Sequence, residues 1–244
     1  MELYKEASKI IKNSKYCVAF TGAGISVESG IPTFRGPTGL WSRYDPKILD
    51  INFFMNSPKE SWHYIKEIFY DYMRDIKPNE AHIFLSKLEE KGVLKGVITQ
   101  NIDNLHQKAG SKNVIEFHGT ASKMICMKCG VRYNSDDICL DELPPFCKKC
   151  GGLLKPDFVF FAEAIPPKAY KMSEELSKNA DTLIIIGTTG EIMPASYMPY
   201  LAKDAKIIEI NIEPSKYTND IADIFLKDKA TVACKTLSKY IFNN

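Results

Sequence analysis

Cys126, Cys129, Cys147 and Cys150 form two Cys-x-x-Cys pairs separated by 17 residues, the spacing at which two short turns close four thiolates around one zinc ion. Four thiolates leave such a metal no open position for water, so its task would be to staple a small lobe rather than to catalyse. Disulfides are disfavoured in a reducing compartment, and a redox Cys-x-x-Cys needs no duplicate. Cys139 lies between the pairs as a fifth thiol and reads as a spectator. Cys17 falls in an apolar run and Cys234 on a helical stripe, where a thiol is a small hydrophobe.

A second concentration of chemistry follows the run from Tyr16 to Thr21. Gly22 and Gly24 lack a Cβ, so their backbone N–H groups could approach phosphate oxygens, and Arg35 could add a fixed charge. A loop built this way suits a diphosphate, with a following helical turn adding its positive end. The spacing departs from the usual G-x-G-x-x-G, because the next glycine is Gly30, and no acidic residue ends a second strand about 20 residues on. Taken alone, a glycine pair after a strand is as often a plain strand-to-helix turn.

Thr99-Gln100-Asn101-Ile102-Asp103 and His118-Gly119 place amide, carboxylate and imidazole groups just past two further apolar runs. An imidazole there can take a proton near neutral pH, Asn101 can orient a water or carbonyl, and Asp103 can accept from a carboxamide. The plain alternative is that Asn and Asp cap a helix starting near Ile102 and that His118 is a satisfied turn histidine. His82 and His106 fall within expected helices and His63 in an aromatic-rich stretch, so none of the three is assigned chemistry.

The elements that must position these groups alternate. Strand-like runs at 16–21, 93–99, 114–117, 158–161, 182–187 and 206–211 are mostly separated by helical patterns, which implies an α/β fold with a parallel sheet. Helical stripes run through Leu3, Ala7, Ile10 and Ile11, through Ala81, Phe84, Leu85 and Leu88, and through Ala233, Leu237, Tyr240 and Ile241. Asn79 and Gly92 bracket the second of these as start and stop signals. Two segments interrupt the alternation. Residues 37–79 are aromatic-rich and carry Pro37, Pro46, Pro58 and Pro78, whereas 121–154 hold the paired cysteines and Pro144-Pro145. The expected division is a sheet domain of 1–36, 80–120 and 155–244, a cofactor loop and helical insertion at 37–79, and a zinc-ribbon insertion at 121–154.

With 244 residues, 45% hydrophobic and 25% charged, the chain has the composition of an ordinary soluble protein and can bury a sizeable core. No apolar stretch approaches the length of a membrane span, and the N-terminal residues do not read as a secretory signal, so a cytoplasmic location without membrane contact is expected. A net charge of +2 offers no broad footprint for nucleic acid, and direct nucleic-acid binding is not expected.

Together, Gly22-Ala23-Gly24-Ile25-Ser26, Gly30-Ile31-Pro32-x-Phe34-Arg35-Gly36, Thr99-Gln100-Asn101-Ile102-Asp103, His118-Gly119, the paired Cys-x-x-Cys and Gly187-Thr188 resemble the sirtuins in order and spacing. The resemblance implies a Rossmann-like parallel sheet with helices on both faces, a small zinc-ribbon and helical lobe, and an NAD-dependent protein-lysine deacylase working in the cleft between them. It implies that the acyl oxygen attacks the ribose carbon bearing nicotinamide and that a histidine, here His118, then promotes attack by a ribose hydroxyl. Water finally releases the amine and O-acyl-ADP-ribose.

In that scheme Asn101 orders the ribose and a water, Gln100 contacts the ribose, and Asp103, beside Ile102, grips the nicotinamide carboxamide. Gly22, Ala23, Gly24, Phe34 and Arg35 belong to the cofactor loop, with Phe34 shielding the reactive carbon from solvent. Gly187, Thr188 and Thr189 meet phosphate or ribose, and Asn211, Ile212 and Ala230 the adenosine side. Val159 and Phe161 line an acyl-lysine tunnel, while Glu163 and Glu191-Ile192 flank a peptide added as a strand. Phe160, alternating with them, is expected to be buried.

Two departures stand out. Sirtuins usually carry Phe-Gly-Glu where this chain has Phe161-Ala162-Glu163, and Gly-Thr-Ser where it has Gly187-Thr188-Thr189. Sirtuins that prefer acidic acyl groups carry a tyrosine and an arginine where Ile65 and Ile68 align, so neutral acyl groups are expected. Protein ADP-ribosyl transfer or NAD hydrolysis on the same site, and a non-catalytic zinc-ribbon module, are the alternatives.

Overall fold

The computed structural model describes residues 1–36, 39–73 and 75–242. Pro37, the first proline of the aromatic-rich insertion, lies outside them. The chain begins with helix α1 (Glu2–Asn13) and strand β1 (Cys17–Thr21), then passes through α2 (Ile51–Asn56) and α3 (Pro58–Ile65), which runs into a wide π turn at Lys66–Asp71. Next come α4 (Glu80–Glu90), β2 (Leu94–Thr99), the short α5 (Leu105–Lys108) and β3 (Val114–Glu116). Strands β4 (Gly119–Cys126), β5 (Arg132–Asn134) and β6 (Leu154–Phe158) form the second insertion. The remainder is α6 (Pro167–Asn179), β7 (Thr182–Ile186), β8 (Lys206–Asn211), α7 (Lys216–Asp220), β9 (Ile224–Lys227) and α8 (Ala230–Phe242).

Six strands form one parallel sheet in the order β3-β2-β1-β7-β8-β9. The chain builds outward from β1 in one direction and from β7 in the other, so the order reverses between these two strands. A crevice opens at the carboxyl ends of strands at such a reversal.

The runs of five buried residues in β1 and β7 show why both faces need cover. On one face Ala19, Ile184 and Ile208 pack with Ile11 of α1, Leu85 of α4 and Leu237 of α8. On the other, Phe20, Leu183 and Ile207 pack with Leu176 of α6, Met198 and Tyr217. Asn79 caps α4 by accepting from the Ala81 N–H at 2.9 Å, and Gly92 ends the turn beyond the helix at φ +74°. Leu3, placed on a core stripe by its spacing, is instead 48% exposed.

The two insertions share a third core. Trp62, Ile65 and Phe69 of the first meet Met124, Leu154 and Phe158 of the second, and the Trp62 indole N–H donates to the Leu154 carbonyl at 2.9 Å. β5, β4 and β6 form a small antiparallel sheet beside this core. The apolar run 158–161 therefore differs from its reading as a strand of the main sheet. Regular pairing ends at Phe158 on β6, and 159–161 continue as extended backbone with a single bridge between Phe161 and Asp50. Phe158 and Phe160 pack in the lobe core, and Phe161 borders the cavity.

Candidate active site

At the reversal of the sheet, the turn after β1 meets the turn after β7 almost backbone to backbone. The Gly22 N–H donates to the Ile186 carbonyl at 3.0 Å and the Gly24 N–H to the Gly187 carbonyl at 2.8 Å. A Cβ on Gly24 would stand 2.6 Å from the Gly187 Cα, and Gly187 itself sits at φ +64°. These glycines are thus required by the close approach of two turns. The N–H groups of Gly22 and Gly24 are engaged by β7 and the turn after it, and both glycines line the cavity that opens beside them.

A cavity of about 1100 Å³ extends from this junction toward the lobe. Its volume slightly exceeds the usual upper range of small-molecule sites, roughly 1,000 Å³, leaving room for a long ligand. Ala23, Phe34 and Arg35 form one wall, Gln100, Asn101 and Ile102 another, and His118 stands among them. Thr188, Thr189, Asn211, Ile212 and Ala230 border the sheet end, while Val159, Phe161, Glu163 and Ile192 border the lobe end. Asp103 and Glu191 are not on this wall.

His118 has one defined tautomer. Its Nδ1 lies 3.0 Å from the Gln100 carbonyl oxygen, which can only accept, so Nδ1 carries the proton and Nε2 keeps its lone pair. Burial lowers the pKa of this imidazole below the ordinary histidine value, and the bond to Gln100 opposes that shift. The ring is therefore neutral at pH 7 and competent as a base.

Behind this wall lies a buried polar chain. Asn101 Nδ2 donates to the Gly22 carbonyl and to Ser26 Oγ, both at 3.2 Å. Ser26 Oγ in turn donates to Asp103 Oδ2 at 2.7 Å and stands 3.4 Å from His82 Nε2. The other Asp103 oxygen accepts from the Leu105 N–H at 2.9 Å, so this carboxylate does start a helix, three residues later than Ile102. Thr21 Oγ1 joins Thr99 Oγ1 and His106 Nε2, each at 2.9 Å. Burial pushes His82 down to about 4 and His106 well below the usual value, so both rings are neutral struts.

At the mouth, Arg35 Nη1 lies 3.6 Å from Glu191 Oε2, tying the glycine loop to the segment after β7. The two side chains are 58% and 49% exposed, so the pair is weak and yields readily to a competing anion. Gln100 Nε2 donates to Thr188 Oγ1 at 3.1 Å and Asn211 Nδ2 to the Thr188 carbonyl at 3.0 Å, linking three strand ends. Spacing did not single out Trp41, which lines the cavity with its ring 5.5 Å from Phe34 and 6.0 Å from Phe161. Its only signal was the aromatic density of the first insertion. Ile65 and Ile68 are buried in the lobe core.

The four paired cysteines converge in the lobe. Their Sγ atoms lie within 4.8 Å of one another, with Cys126 to Cys150 at 3.5 Å and Cys129 to Cys147 at 3.8 Å. Tetrahedral zinc with Zn–S bonds near 2.3 Å needs sulfurs roughly 3.8 Å apart, so the donor set fits one such ion. The Tyr133 hydroxyl lies 3.2 Å from Cys147 Sγ as an outer hydrogen-bond partner. Cys139 is exposed beside Asp141, and Cys17 and Cys234 are buried.

Fold and site together define a doubly wound α/β protein with a ligand crevice at the strand-order reversal and a cysteine-stapled lobe overhanging it. A family model described as the Sir2 family matches residues 22–194, and the chain belongs to that family. It is 48% identical over 237 residues to the NAD-dependent protein deacylase of Pyrococcus furiosus, covering 92% of each chain. Among solved structures it is similar to a Sir2 complex with p53 peptide and NAD+, with a TM-score of 0.88, 36% identity, and 96% and 97% of the two chains covered. A second, a Sir2 variant with deacetylated p53 peptide and 3'-O-acetyl ADP ribose, gives a TM-score of 0.89 at 36% identity, with 96% and 97% covered.

Proposed function

We propose that this protein is an NAD-dependent protein-lysine deacylase that releases nicotinamide, free lysine and O-acyl-ADP-ribose. The single observation that carries the reading is His118. It is neutral, has Nδ1 pinned to Gln100, and stands in the large crevice at the carboxyl ends of β1, β2 and β7. NAD supplies the ribose carbon that gives up nicotinamide and takes the acyl oxygen.

The chain's residues supply orientation and proton movement. His118 Nε2 takes the proton of a ribose hydroxyl, and the Gln100 carbonyl holds the resulting imidazolium in place through Nδ1. Asn101, held by Gly22 and Ser26, orders the ribose side and a water. Asp103 acts from behind through Ser26, and presenting it to a carboxamide requires that bond to open. Phe34, packed on Trp41, closes the reacting centre to solvent.

Arg35 exchanges Glu191 for the diphosphate. Gly187, Thr188, Thr189, Asn211, Ile212 and Ala230 hold the adenosine half. Val159 and Phe161 receive the acyl-lysine, with the backbone of 163 and 191–192 flanking the peptide. The four cysteines hold one structural zinc ion.

A cytoplasmic enzyme without nucleic-acid contacts accords with the small net charge of +2 and with a chain whose described helices are all too short or too polar to cross a membrane. Neutral acyl substrates accord with the isoleucines at 65 and 68, the positions where the resemblance puts the partners of an acidic acyl chain.

The test is nicotinamide release from NAD with and without acetyl-lysine peptide. Release that depends on the acylated peptide is expected. Release without it would favour NAD hydrolysis, and faster turnover of succinyl-lysine than acetyl-lysine would refute the neutral acyl pocket.

A further inference from the structure

Lys155 is an unusual lysine. It lies on β6, only 4% exposed, and begins five residues beyond Cys150 the stretch that leads to Phe161. Its ammonium has three N–H donors and meets three acceptors: the Pro156 carbonyl at 3.0 Å, the Phe158 carbonyl at 2.6 Å and Glu163 Oε2 at 3.0 Å. The Phe160 ring centre lies 4.1 Å away, and that of Phe158 5.9 Å. Glu163 Oε2 also accepts from the Phe160 N–H at 2.7 Å, and the Glu163 N–H returns to the Phe160 carbonyl at 3.1 Å. The segment 158–163 is thus wrapped around a single buried cation.

The same segment makes its outward contacts on the catalytic side. The Val159 N–H donates to the His118 carbonyl and the Phe161 N–H to the Leu49 carbonyl, both at 2.8 Å. Within it, Ala162 is held at φ +67°, where an L-residue is strained and stays only when its surroundings fix it. A buried charge is a costly way to fill a core position, and an apolar residue of similar volume would serve packing alone at least as well. Here the charge has a use, because it draws together two carbonyls and a carboxylate that otherwise have no reason to converge.

We propose that Lys155 is a positioning residue for the acyl-lysine substrate: its ammonium clamps segment 158–163 and so sets Val159 and Phe161 against the bound peptide and ties them to the main chain of His118. The inference rests on the deacylase reading above and deepens its peptide side. It also turns the Glu163 carboxylate inward, making it the partner of Lys155 rather than a group offered to the peptide.

The experiment compares steady-state kinetics of Lys155→Met, Lys155→Arg, Glu163→Gln and the Lys155→Met/Glu163→Gln double variant, varying acetyl-lysine peptide and NAD separately. Lys155→Met is expected to raise the peptide KM about tenfold or more while the NAD KM stays within about twofold, since a charged clamp on one side of the cleft is lost. Lys155→Arg should restore most of the difference, and the double variant should be no worse than Lys155→Met, because both changes break one contact. A folded, zinc-loaded Lys155→Met with unchanged peptide KM would overturn the proposal, as would equal rises in both KM values.

Should Lys155→Met fail to fold, Glu163→Gln carries the test. A rise in peptide KM of roughly threefold or more with NAD KM unmoved supports the clamp, and no rise overturns it. Absence of peptide-dependent turnover in the unaltered protein would defeat the deacylase reading itself, and the inference with it.

Discussion

The two sides of the cleft reach the same precision by different physical means. On the sheet side, Gly22, Gln100 and Gly187 each follow a strand of one parallel ladder and Asn211 ends another, and two apolar layers hold the ladder from both faces. On the lobe side the antiparallel sheet has only three strands, and segment 159–163 lies beyond its end. Position there depends on four cysteines, one shared aromatic core and one buried lysine. A ladder spreads its stabilisation over many small terms, whereas a metal site or a single ion pair concentrates it. The cofactor side should therefore tolerate insults that remove the peptide side.

Metal removal should separate the two sides of the cleft most widely. Zinc bound by four thiolates contributes on the order of 10 kcal/mol to folding of a small lobe. Complete chelation is expected to abolish deacylation while far-UV circular dichroism retains most of the helical signal, which resides chiefly in the sheet domain. Full activity in metal-free protein would contradict the stapling role of Cys126, Cys129, Cys147 and Cys150.

Protonation acts chiefly on the sheet side. His118 must be neutral to act as a base, and burial holds its pKa below 6.5, so kcat/KM should stay level through neutral pH and fall only below that value. An acid limb centred above 6.5 in a pH-rate profile would disagree. Stability should move in the same direction for a separate reason. His82 and His106 are buried neutral, whereas the unfolded chain takes up protons below about 6.5. Their contribution is fully present above that pH and is lost as pH falls toward 4, so thermal midpoints should drop over this window. A midpoint that rises on acidification would contradict the burial of both rings.

The smallest effect concerns backbone strain on the lobe side. Ala162 at φ +67° costs about 1 kcal/mol that glycine would not, partly offset by the greater entropy of glycine in the unfolded chain. Ala162→Gly should raise the thermal midpoint by roughly 2 °C or less, and a lowered midpoint would show that the alanine methyl packs usefully.

The sequence was most legible where spacing alone carries the physics. Paired Cys-x-x-Cys, strand-length apolar runs and the Asn79 cap each encode a local geometry, and the parallel sheet and cysteine cluster follow from them. Legibility failed where one residue serves a long-range contact. The spacing of Gly22 and Gly24 does not reveal that they also accommodate Gly187, more than 150 residues away in the chain. His82 and His106 looked idle, yet they strut Ser26 and Thr21 behind Asn101. The run 158–161 looked like a sheet strand, because apolar alternation does not reveal which of two cores will claim it. Lys155 gave no signal at all, since burial of a lysine depends on acceptors that converge only after folding.

The central claim is that His118 moves a ribose proton after nicotinamide has left. The most direct measurement follows nicotinamide exchange and deacylated product together in His118→Ala with NAD and acetyl-lysine peptide. Product formation is expected to fall by about 10²- to 10⁴-fold while exchange falls much less and the fold persists. Equal losses in both reactions, or unchanged product formation, would contradict the role assigned to this imidazole.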